Sequence, residues 1–526
     1  MNHAEVLITA LLLAVAALGA LACRLSVPYP IPLVIGGALA GFIPGLPDIS
    51  LEPDLVLALF LPPLLYKSAI YANFGDFRTG LRSLTLSAVA LVVVTMGIVA
   101  CAARAVIPDM PWEAAFVLGA IVSPTDPVAA ATIMRRLGAP RRLISSVEGE
   151  GLFNDATALV AFRVAVAATV AGGFSLADAG LSFVLGALGG IGIGLVVGWL
   201  SGWVRARIYD AQISVTISLL TGYAAFLPAE AAGASAVLAV VTAGIVMAIR
   251  SPEVLEARPR LQGYFVWDIV DFLINATLFA MIGLQLHSIV SGLHEYRFPA
   301  LMGYAVAVIA AVVASRFLWF FSVPYLIRVL DRRPQQRRRR APASWRVVLA
   351  WSGMRGAVSL AVALAVPEQT SDGSPFPHRE LILFLTFAVI FFTLVVQGLT
   401  LPALIDRLDR TEDPETTEED RARLAAARAA IERIDELADE QWTRTDTAER
   451  MRGLYEYRTQ RFEARLAGDE VGEYEERSRA YQDMVRSVLE AQRRELLVMR
   501  REGKLSNEAF NRILYDIDLE ESRLET

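Results

Sequence analysis

The sequence predicts an all-α polytopic membrane protein with about thirteen transmembrane helices, two of them interrupted, and a helical tail. Three observations predict this fold class. Apolar runs of about 20 residues, long enough to cross a bilayer as a helix, recur from the N-terminus to about residue 403. Hydrophobic residues make up 55% of the 526 residues, and charged residues only 20%. Charges are sparse up to the early 400s and dense after them.

The apolar runs are expected to be helices, because amide and carbonyl groups cannot stay unpaired in lipid. A transmembrane barrel would show short alternating segments, and these runs are continuous. A buried helix of a soluble core would explain one such run, but not so many in series. The predicted spans are 4–23, 29–47, 54–72, 84–106, 112–134, 146–171, 178–203, 211–229, 234–250, 264–287, 299–327, 345–367 and 380–405.

Arginines occur in alternate connections between the spans, which predicts the orientation of the chain. They are Arg24; Arg78 and Arg82; Arg135, Arg136, Arg141 and Arg142; Arg205 and Arg207; Arg250, Arg258 and Arg260; and Arg332, Arg333 and Arg337 to Arg340. The connections in between contain no basic residue, although Arg104, Arg297 and Arg379 depart from the pattern. We expect a multi-pass protein of the cell inner membrane with its N-terminus outside and its C-terminus in the cytoplasm.

The chain divides into a transmembrane domain, residues 1–405, and a cytoplasmic helical tail, residues 406–526. Apolar residues recur at helical spacing in the tail, which predicts several amphipathic helices broken near Gly468 and Gly503. The tail has no phosphate loop, metal cluster or nucleic-acid signature. We expect it to pack against other elements or to support a dimer, and a role in regulation stays open.

Composition excludes several classes of site. The formal net charge of −6 sums two unlike parts of the chain and indicates no partner, and nucleic acid is not expected. Cys23 and Cys101 are the only cysteines and lie in or next to apolar runs, which excludes a disulfide framework or a cysteine-based metal site. The four histidines lack the paired spacing of a zinc site. We expect neither an enzyme nor a resident cofactor.

Residues 123–127, Ser-Pro-Thr-Asp-Pro, lie in the middle of the fifth predicted span. An intramembrane Asp costs about 2.5–3.5 kcal/mol on insertion scales, so it marks a transport pathway by default. The prolines should break the helix and leave the Thr125 and Asp126 oxygens free to coordinate a hard cation. The alternative, which is compatible with it, is a proline kink with Asp126 bonded to a neighbouring helix terminus.

Residues 148–155, Glu-Gly-Glu-Gly-Leu-Phe-Asn-Asp, open the sixth predicted span. Glu150 and Asn154 are four residues apart and share a helix face, while Asp155 lies one position further round. The apolar residues after Asp155 bury its carboxylate, so that a proton can compete with a metal ion for it. The alternative is that Asp155 belongs to a structural ion pair.

Residues 351–360 place Arg355 between Gly353 and Gly356 in the twelfth predicted span. The glycines should loosen this helix as the prolines do the fifth, and the intramembrane guanidinium needs an anion, for which Glu150 is our candidate. Because the two interrupted helices are the fifth of the first six spans and the fifth of the last six, an inverted repeat with crossed helices is predicted. Asp126 and Arg355 would then compensate helix dipoles of opposite sign.

A weaker polar cluster lies in the tenth predicted span, where the side chains would either line a funnel or satisfy loop carbonyls. It comprises Asp268, Asp271, Asn275, Thr277 and Gln285. Arg163 and Arg316 are further intramembrane charges, and we expect them to pair internally or to reach the interface.

At these motifs the sequence resembles the first family of monovalent cation:proton antiporters, which includes bacterial Na+/H+ antiporters and animal sodium/proton exchangers. The resemblance is carried by Phe-Leu-Pro-Pro-Leu-Leu at 60–65, Thr-Asp-Pro at 125–127, Phe-Asn-Asp at 153–155 and Arg-Gly-Ala-Val-Ser at 355–359. It extends in order over about residues 1–405, with further similarity at 265–275 and 282–286.

This resemblance implies Na+/H+ antiport by alternating access in a homodimer. It implies that Asp155 binds the transported cation and proton in turn. The Thr125 carbonyl and groups on the Asn154 side would assist, and Asp126 also belongs to the expected ion-binding site. Glu150 would pair with Arg355, and Gly151 and Ser359 would lie in supporting positions. Because Asn154 precedes a single carboxylate, one-for-one electroneutral exchange is expected.

Two departures from the family pattern affect selectivity and affinity. Gly151 stands where relatives often have a Ser hydroxyl, so water is expected to replace that ligand. Lys67 follows the 60–65 motif at a position where some relatives carry an acidic group. K+/H+ or broad alkali-cation exchange is the main alternative. A tail-gated cation channel would need a continuous pore, and the sequence shows no repeated selectivity-filter loop. A membrane receptor would leave the intramembrane charges without a role.

Overall fold

The computed structural model describes residues 3–25, 27–43, 53–71, 74–171, 176–293, 296–330, 342–408, 414–467 and 471–522. The chain forms two compact units, residues 1–410 and 411–526, whereas the predicted domain boundary follows residue 405. The described residues are almost entirely helical, and their only extended pairing is an isolated bridge between Gln369 and Pro375. The predicted all-α class is therefore confirmed.

The first five helices of the first unit are α1 His3–Leu25, α2 Pro30–Gly41, α3 Pro53–Ile70, α4 Phe74–Val106 and α5 Trp112–Val122. They are followed by α6 Pro127–Arg136, α7 Arg141–Ala171, α8 Leu176–Arg205, α9 Ala211–Ala231, α10 Ala236–Val254, α11 Ala257–Leu284, α12 Leu286–Ser291 and α13 Phe298–Leu330. The unit ends with α14 Ala343–Trp351, α15 Ala357–Leu364, α16 Arg379–Phe392, a π-helical turn Thr393–Gln397 and α17 Gly398–Ile405.

Seven helices in the described residues are long and apolar enough to cross a membrane, by length and composition. They include Val89–Val106, Val184–Arg205, Phe298–Leu326 and Arg379–Ile405, and shorter apolar helices lie between them. The chain therefore has the character of an integral membrane protein. The count of thirteen spans and the inverted repeat stay predictions.

The spans pack around large buried side chains. Tyr66 of α3 and Trp267 of α11 are fully buried with their rings 5.6 Å apart, and they belong to the largest apolar cluster with Phe226 of α9. A second cluster surrounds Met134, Phe279 and neighbouring residues of α6 and α11. Residues of the interrupted helices belong to both clusters, so each interrupted helix packs closely against its neighbours.

The second unit contains α18 Pro414–Ala438, α19 Thr445–Ala467, α20 Val471–Arg501 and α21 Asn507–Ser522. Arg465 of α19 lies 3.7 Å from the buried carboxylate of Asp420 in α18. Phe510 and Ile517 of α21 and Leu489 of α20 are buried, as the helical spacing of apolar residues predicts. The second unit is thus a set of amphipathic helices with few buried side chains.

Candidate functional site

Two helix breaks meet in the first unit. Helix α5 ends at Val122 and α6 begins at Pro127, while α14 ends at Trp351 and α15 begins at Ala357. The backbone N–H of Asp126 donates to the carbonyl oxygen of Met354 over 2.8 Å, so the two extended segments contact each other directly. Non-helical backbone at membrane depth needs such partners, because no water is available in lipid.

The glycines of the second break make room for the first. A Cβ atom on Gly356 would overlap the carboxylate of Asp126, and one on Gly353 would overlap the guanidinium of Arg316. Gly356 precedes the first turn of α15, so the Asp126 carboxylate lies close to the N-terminal end of that half-helix. The positive end of the α15 dipole stabilises a negative charge on this carboxylate.

Two buried arginines occupy the carboxyl ends of the half-helices. Arg355 donates from Nε to the carbonyl oxygen of Val122, the last residue of α5, over 2.9 Å, and from Nη1 to Gly353. Arg316 of α13 donates from Nη2 to Leu349 over 2.8 Å and from Nε to Ala350 over 3.2 Å, at the end of α14. Each guanidinium satisfies carbonyls that a helix end leaves open and complements its dipole.

The structure corrects the predicted ion pair. The Glu150 carboxylate of α7 is paired with Arg316, not with Arg355, through Nη1–Oε1 at 2.5 Å and Nη2–Oε2 at 3.3 Å. The physical reason is that the Arg355 guanidinium is turned to the end of α5, where Val122 and Gly353 accept its hydrogen bonds. The expectation that Arg316 pairs internally is met by this contact, and Arg163 pairs with Glu230 at 3.3 Å.

A chain of hydrogen bonds links the break at Thr125 to this ion pair. Asn154 Nδ2 donates to Thr125 Oγ1 over 2.6 Å, and Thr125 Oγ1 donates to Glu150 Oε1 over 3.1 Å. Asn154 Nδ2 also lies 3.3 Å from the Thr125 carbonyl oxygen. Asn154 Oδ1 is buried and has no hydrogen-bond partner among the residues that the structure describes. The Asn154 amide therefore holds the break in place on one side and leaves an acceptor oxygen on the other.

A cavity of about 520 Å³, including its open end, collects most of the predicted ligands. It is lined by Leu64, Leu65, Ser68, Pro124, Thr125, Asp126, Pro127, Asp155, Asp271, Asn275, Gly356, Val358 and Ser359. Within the described part of the chain, the Ser359 hydroxyl is buried without a hydrogen-bond partner. The cavity does not include Glu150 or Arg355 among its lining residues, in keeping with the structural contacts of those two side chains.

The lining supplies oxygen ligands of the kind that hard cations prefer. Asp155 and Asp126 contribute carboxylates, and Thr125 and Ser359 contribute hydroxyl groups. Carboxylate, carbonyl and hydroxyl oxygens suit alkali and other hard cations, whereas thiolates and paired imidazoles are absent from this lining. A carboxylate in such a cavity exchanges a proton for a metal ion when the site favours neither strongly.

Gly151 has a packing reason that the sequence did not reveal. A Cβ atom there would lie 2.6 Å from Cγ and 2.7 Å from Cδ of Pro127, at the start of α6. A Ser at this position would require α6 and α7 to separate. The departure at Gly151 is thus coupled to the close approach of these two helices.

The family model described as "Sodium/hydrogen exchanger, transmembrane" matches residues 9–407. The chain belongs to the sodium/hydrogen exchanger family. A protein of Mycobacterium tuberculosis named as an uncharacterised Na+/H+ exchanger is 36% identical over 523 residues, which cover 99% of this chain and 96% of the relative. Cation/proton antiport is therefore the activity of the family to which this exchanger belongs.

Two other similar proteins have more specific names. The sodium, potassium, lithium and rubidium/H+ antiporter of Bacillus subtilis is 34% identical over 394 residues, covering 72% of this exchanger and 58% of the relative. The low-affinity Na+/H+ antiporter NhaS1 of Synechocystis is 31% identical over 416 residues, covering 78% and 74%. The solved structure of the sodium proton antiporter MjNhaP1 from Methanocaldococcus jannaschii shares the fold with a TM-score of 0.60. Its identity is 18%, over 76% of this exchanger and 98% of that chain.

The sequence of the exchanger indicated some contacts of the site and missed others. The role of Thr393 was missed: its hydroxyl, at the start of the π-helical turn, accepts the backbone N–H of Arg355 over 3.0 Å. No local pattern predicts a π-helical turn inside an apolar run. Asp271 and Asn275 were left open between two roles, and the structure places both in the cavity lining.

Proposed function

We propose that this exchanger trades one monovalent cation, Na+ in the first place, for one proton at Asp155. The observation that supports it best is the position of Asp155 in the cavity beside the broken helices. There its carboxylate shares the lining with the Thr125 and Ser359 hydroxyls and the Asn275 side chain. Thr125 and Asp155 are the proposed metal ligands, with Asn154 and Asp126 assisting.

The exchange at Asp155 is a competition between two ligands for one carboxylate. In the cation-loaded form the ionised Asp155 binds the metal ion together with neutral oxygens and water, and in the proton-loaded form it is a neutral acid. Asp126 lies at the N-terminal end of α15, where the helix dipole favours a negative charge. The Glu150 carboxylate and the Arg316 guanidinium compensate each other's charge in a buried ion pair. Only Asp155 then changes its occupant, and the exchange is electroneutral.

The architecture proposed with this mechanism is a homodimer of thirteen-span subunits with an inverted repeat. The N-terminus is outside, and the second unit lies in the cytoplasm. Alternating access moves the broken helices, which are tied to each other through Asp126 and Met354, past the helices that form the rest of the cavity. The arginine distribution between the spans supports the orientation.

Broad alkali-cation/proton exchange is the second candidate. The observation that favours it is the name of the Bacillus subtilis relative, which includes potassium, lithium and rubidium beside sodium. Oxygen ligands alone do not select Na+ over K+, since selection depends on the dimensions of the loaded site. A tail-gated channel has less support, because members of this family are exchangers.

Proton movement in everted membrane vesicles tests the proposal. Vesicles acidified by respiration are mixed with Na+, Li+, K+ or choline, and a pH-sensitive dye reports proton release. We expect a response to Na+ with the wild type, none to choline, and none to any cation with Asp155→Asn, provided that the variant is present in the membrane in equal amount. Retained activity in Asp155→Asn would assign the exchanged ligand to another residue. Dependence of transport on an imposed potential in proteoliposomes would rule out the one-for-one scheme.

A further inference from the structure

A second group of charged side chains borders the cavity, outside the site proposed for Asp155. Asp271 of α11 lines the cavity, and Lys67 of α3 lies between two lining residues of its own helix, Leu65 and Ser68. The Lys67 ammonium is 2.9 Å from Asp271 Oδ2 and 3.2 Å from Asp268 Oδ1. Lys67 therefore joins two carboxylates that are three residues apart on α11.

The hydrogen bonds of Asp271 leave neither of its oxygens without a donor. Oδ2 accepts from Lys67, and Oδ1 accepts from Asn275 Nδ2 over 3.0 Å. The Asp271 side chain is 14% exposed and that of Asp268 is 73% exposed, so the pair runs from the cavity lining to the exposed surface of the helix bundle. The local charge of Lys67, Asp268 and Asp271 is −1, and it would be −2 without the ammonium.

An ammonium group held between carboxylates takes the place of a mobile cation. Carboxylate oxygens are the preferred ligands of hard cations, and the same oxygens here are occupied by Lys67. A cleft with an excess of one sign of charge concentrates ions of the other sign near it. The fixed positive charge of Lys67 thus opposes the accumulation of cations next to Asp155.

We propose that Lys67 is an internal counter-cation that sets the apparent cation affinity of the exchanger. Its ammonium occupies Asp271 and Asp268, which otherwise form an entry site for alkali cations beside the exchange site. This inference rests on the proposed function of Asp155. It differs from a purely structural ion pair, which would affect folding and yield but not the cation concentration at half-maximal transport.

The test compares charge variants of the full chain in proteoliposomes, with Na+ varied at fixed pH and ionic strength held constant with choline chloride. Lys67→Met is expected to lower the half-saturating Na+ concentration by about threefold or more. The difference should become smaller when the whole series is repeated at a higher constant ionic strength. Lys67→Arg keeps the charge and is expected to retain the wild-type value. Lys67→Met combined with Asp271→Asn restores a local charge of −1 and should return the value towards the wild type.

Two results would overturn the proposal while leaving the proposed function intact. One is an unchanged half-saturating Na+ concentration in Lys67→Met, and the other is a decrease that the double variant does not reverse. Lys67→Gln, which keeps a polar side chain, is measured in parallel, so that poor insertion of Lys67→Met does not decide the result. Stabilisation of the purified variants by Na+ relative to choline gives the same comparison without transport. Failure of the proposed function is distinguishable, because the wild type would then show no Na+-dependent proton movement.

Discussion

The backbone N–H of Asp126 and the carbonyl oxygen of Met354 lie 2.8 Å apart, and this hydrogen bond joins the two interrupted helices. Each break is then stabilised by the other. Arg355, next to Met354 in the second break, is bonded to the end of α5. A displacement of one break is therefore expected to displace the other, which suits a site that moves as one body during transport.

The pairing of Glu150 with Arg316 predicts a large loss of stability when one partner is removed. Arg316 is 2% exposed and Glu150 is 12% exposed, so Arg316→Met leaves a carboxylate inside the protein without its counter-charge. We expect a loss of about 3–5 kcal/mol, seen as a marked fall in the thermal unfolding temperature of the purified protein. Glu150→Gln combined with Arg316→Met should recover part of the loss, because neither charge is then left alone.

The matched control for Arg316 is Arg163, whose pair with Glu230 is about half exposed on both sides. Arg163→Met is expected to cost less than Arg316→Met, because both partners of the Arg163 pair are about half exposed and Glu230 is not left buried without its counter-charge. An equal shift in unfolding temperature for Arg163→Met and Arg316→Met would contradict the structural role given to the buried pair.

The positions of the breaks were accessible from sequence, whereas their partners were not. Pro124 and Pro127 remove backbone donors wherever the helix lies, and glycines at 353 and 356 mark the second break, so local chemistry predicts both. The partner of Glu150 depends on how α13 packs against α7, across 166 residues of chain. Two arginines, 316 and 355, lay at membrane depth, and only the packing distinguishes the one that reaches the carboxylate from the one that reaches α5.

Thr125 is expected to affect cation binding through its two hydrogen bonds. Its hydroxyl accepts from Asn154 and donates to Glu150, so Thr125→Val, which keeps the shape of the side chain, leaves both groups without this partner. An unmade buried hydrogen bond costs about 1–3 kcal/mol, which we expect to appear as a higher half-saturating Na+ concentration and lower stability. Thr125→Ser retains the hydroxyl and should stay near the wild type. Similar kinetics for the Ser and Val variants would mean that the hydroxyl is not used.

Gly356 is expected to tolerate no side chain, because a methyl group there overlaps the Asp126 carboxylate. Gly356→Ala should push the two breaks apart and reduce transport strongly, as measured by dye response at equal protein amount. Gly97 of α4 is the control, since a Cβ atom there meets nothing within 4 Å. Gly97→Ala should leave transport unchanged and add up to about 1 kcal/mol of stability through helix propensity. Equal transport in both variants would show that the contact between the breaks is not required.

Arg355 is expected to serve folding more than transport. Its guanidinium donates to carbonyl oxygens of Val122 and Gly353, and its backbone N–H is held by Thr393, so it joins α5, the second break and the π-helical turn. Arg355→Met removes the charged donor from the end of α5, which should cost on the order of 3 kcal/mol and lower the amount of inserted protein. Arg355→Lys supplies one flexible ammonium in place of the planar guanidinium. Its stability and its amount of inserted protein should therefore lie between those of the wild type and those of Arg355→Met. Because Asp155 is unchanged, whatever Arg355→Met protein inserts should still respond to Na+; a normal amount of protein without any response would instead give Arg355 a direct part in transport.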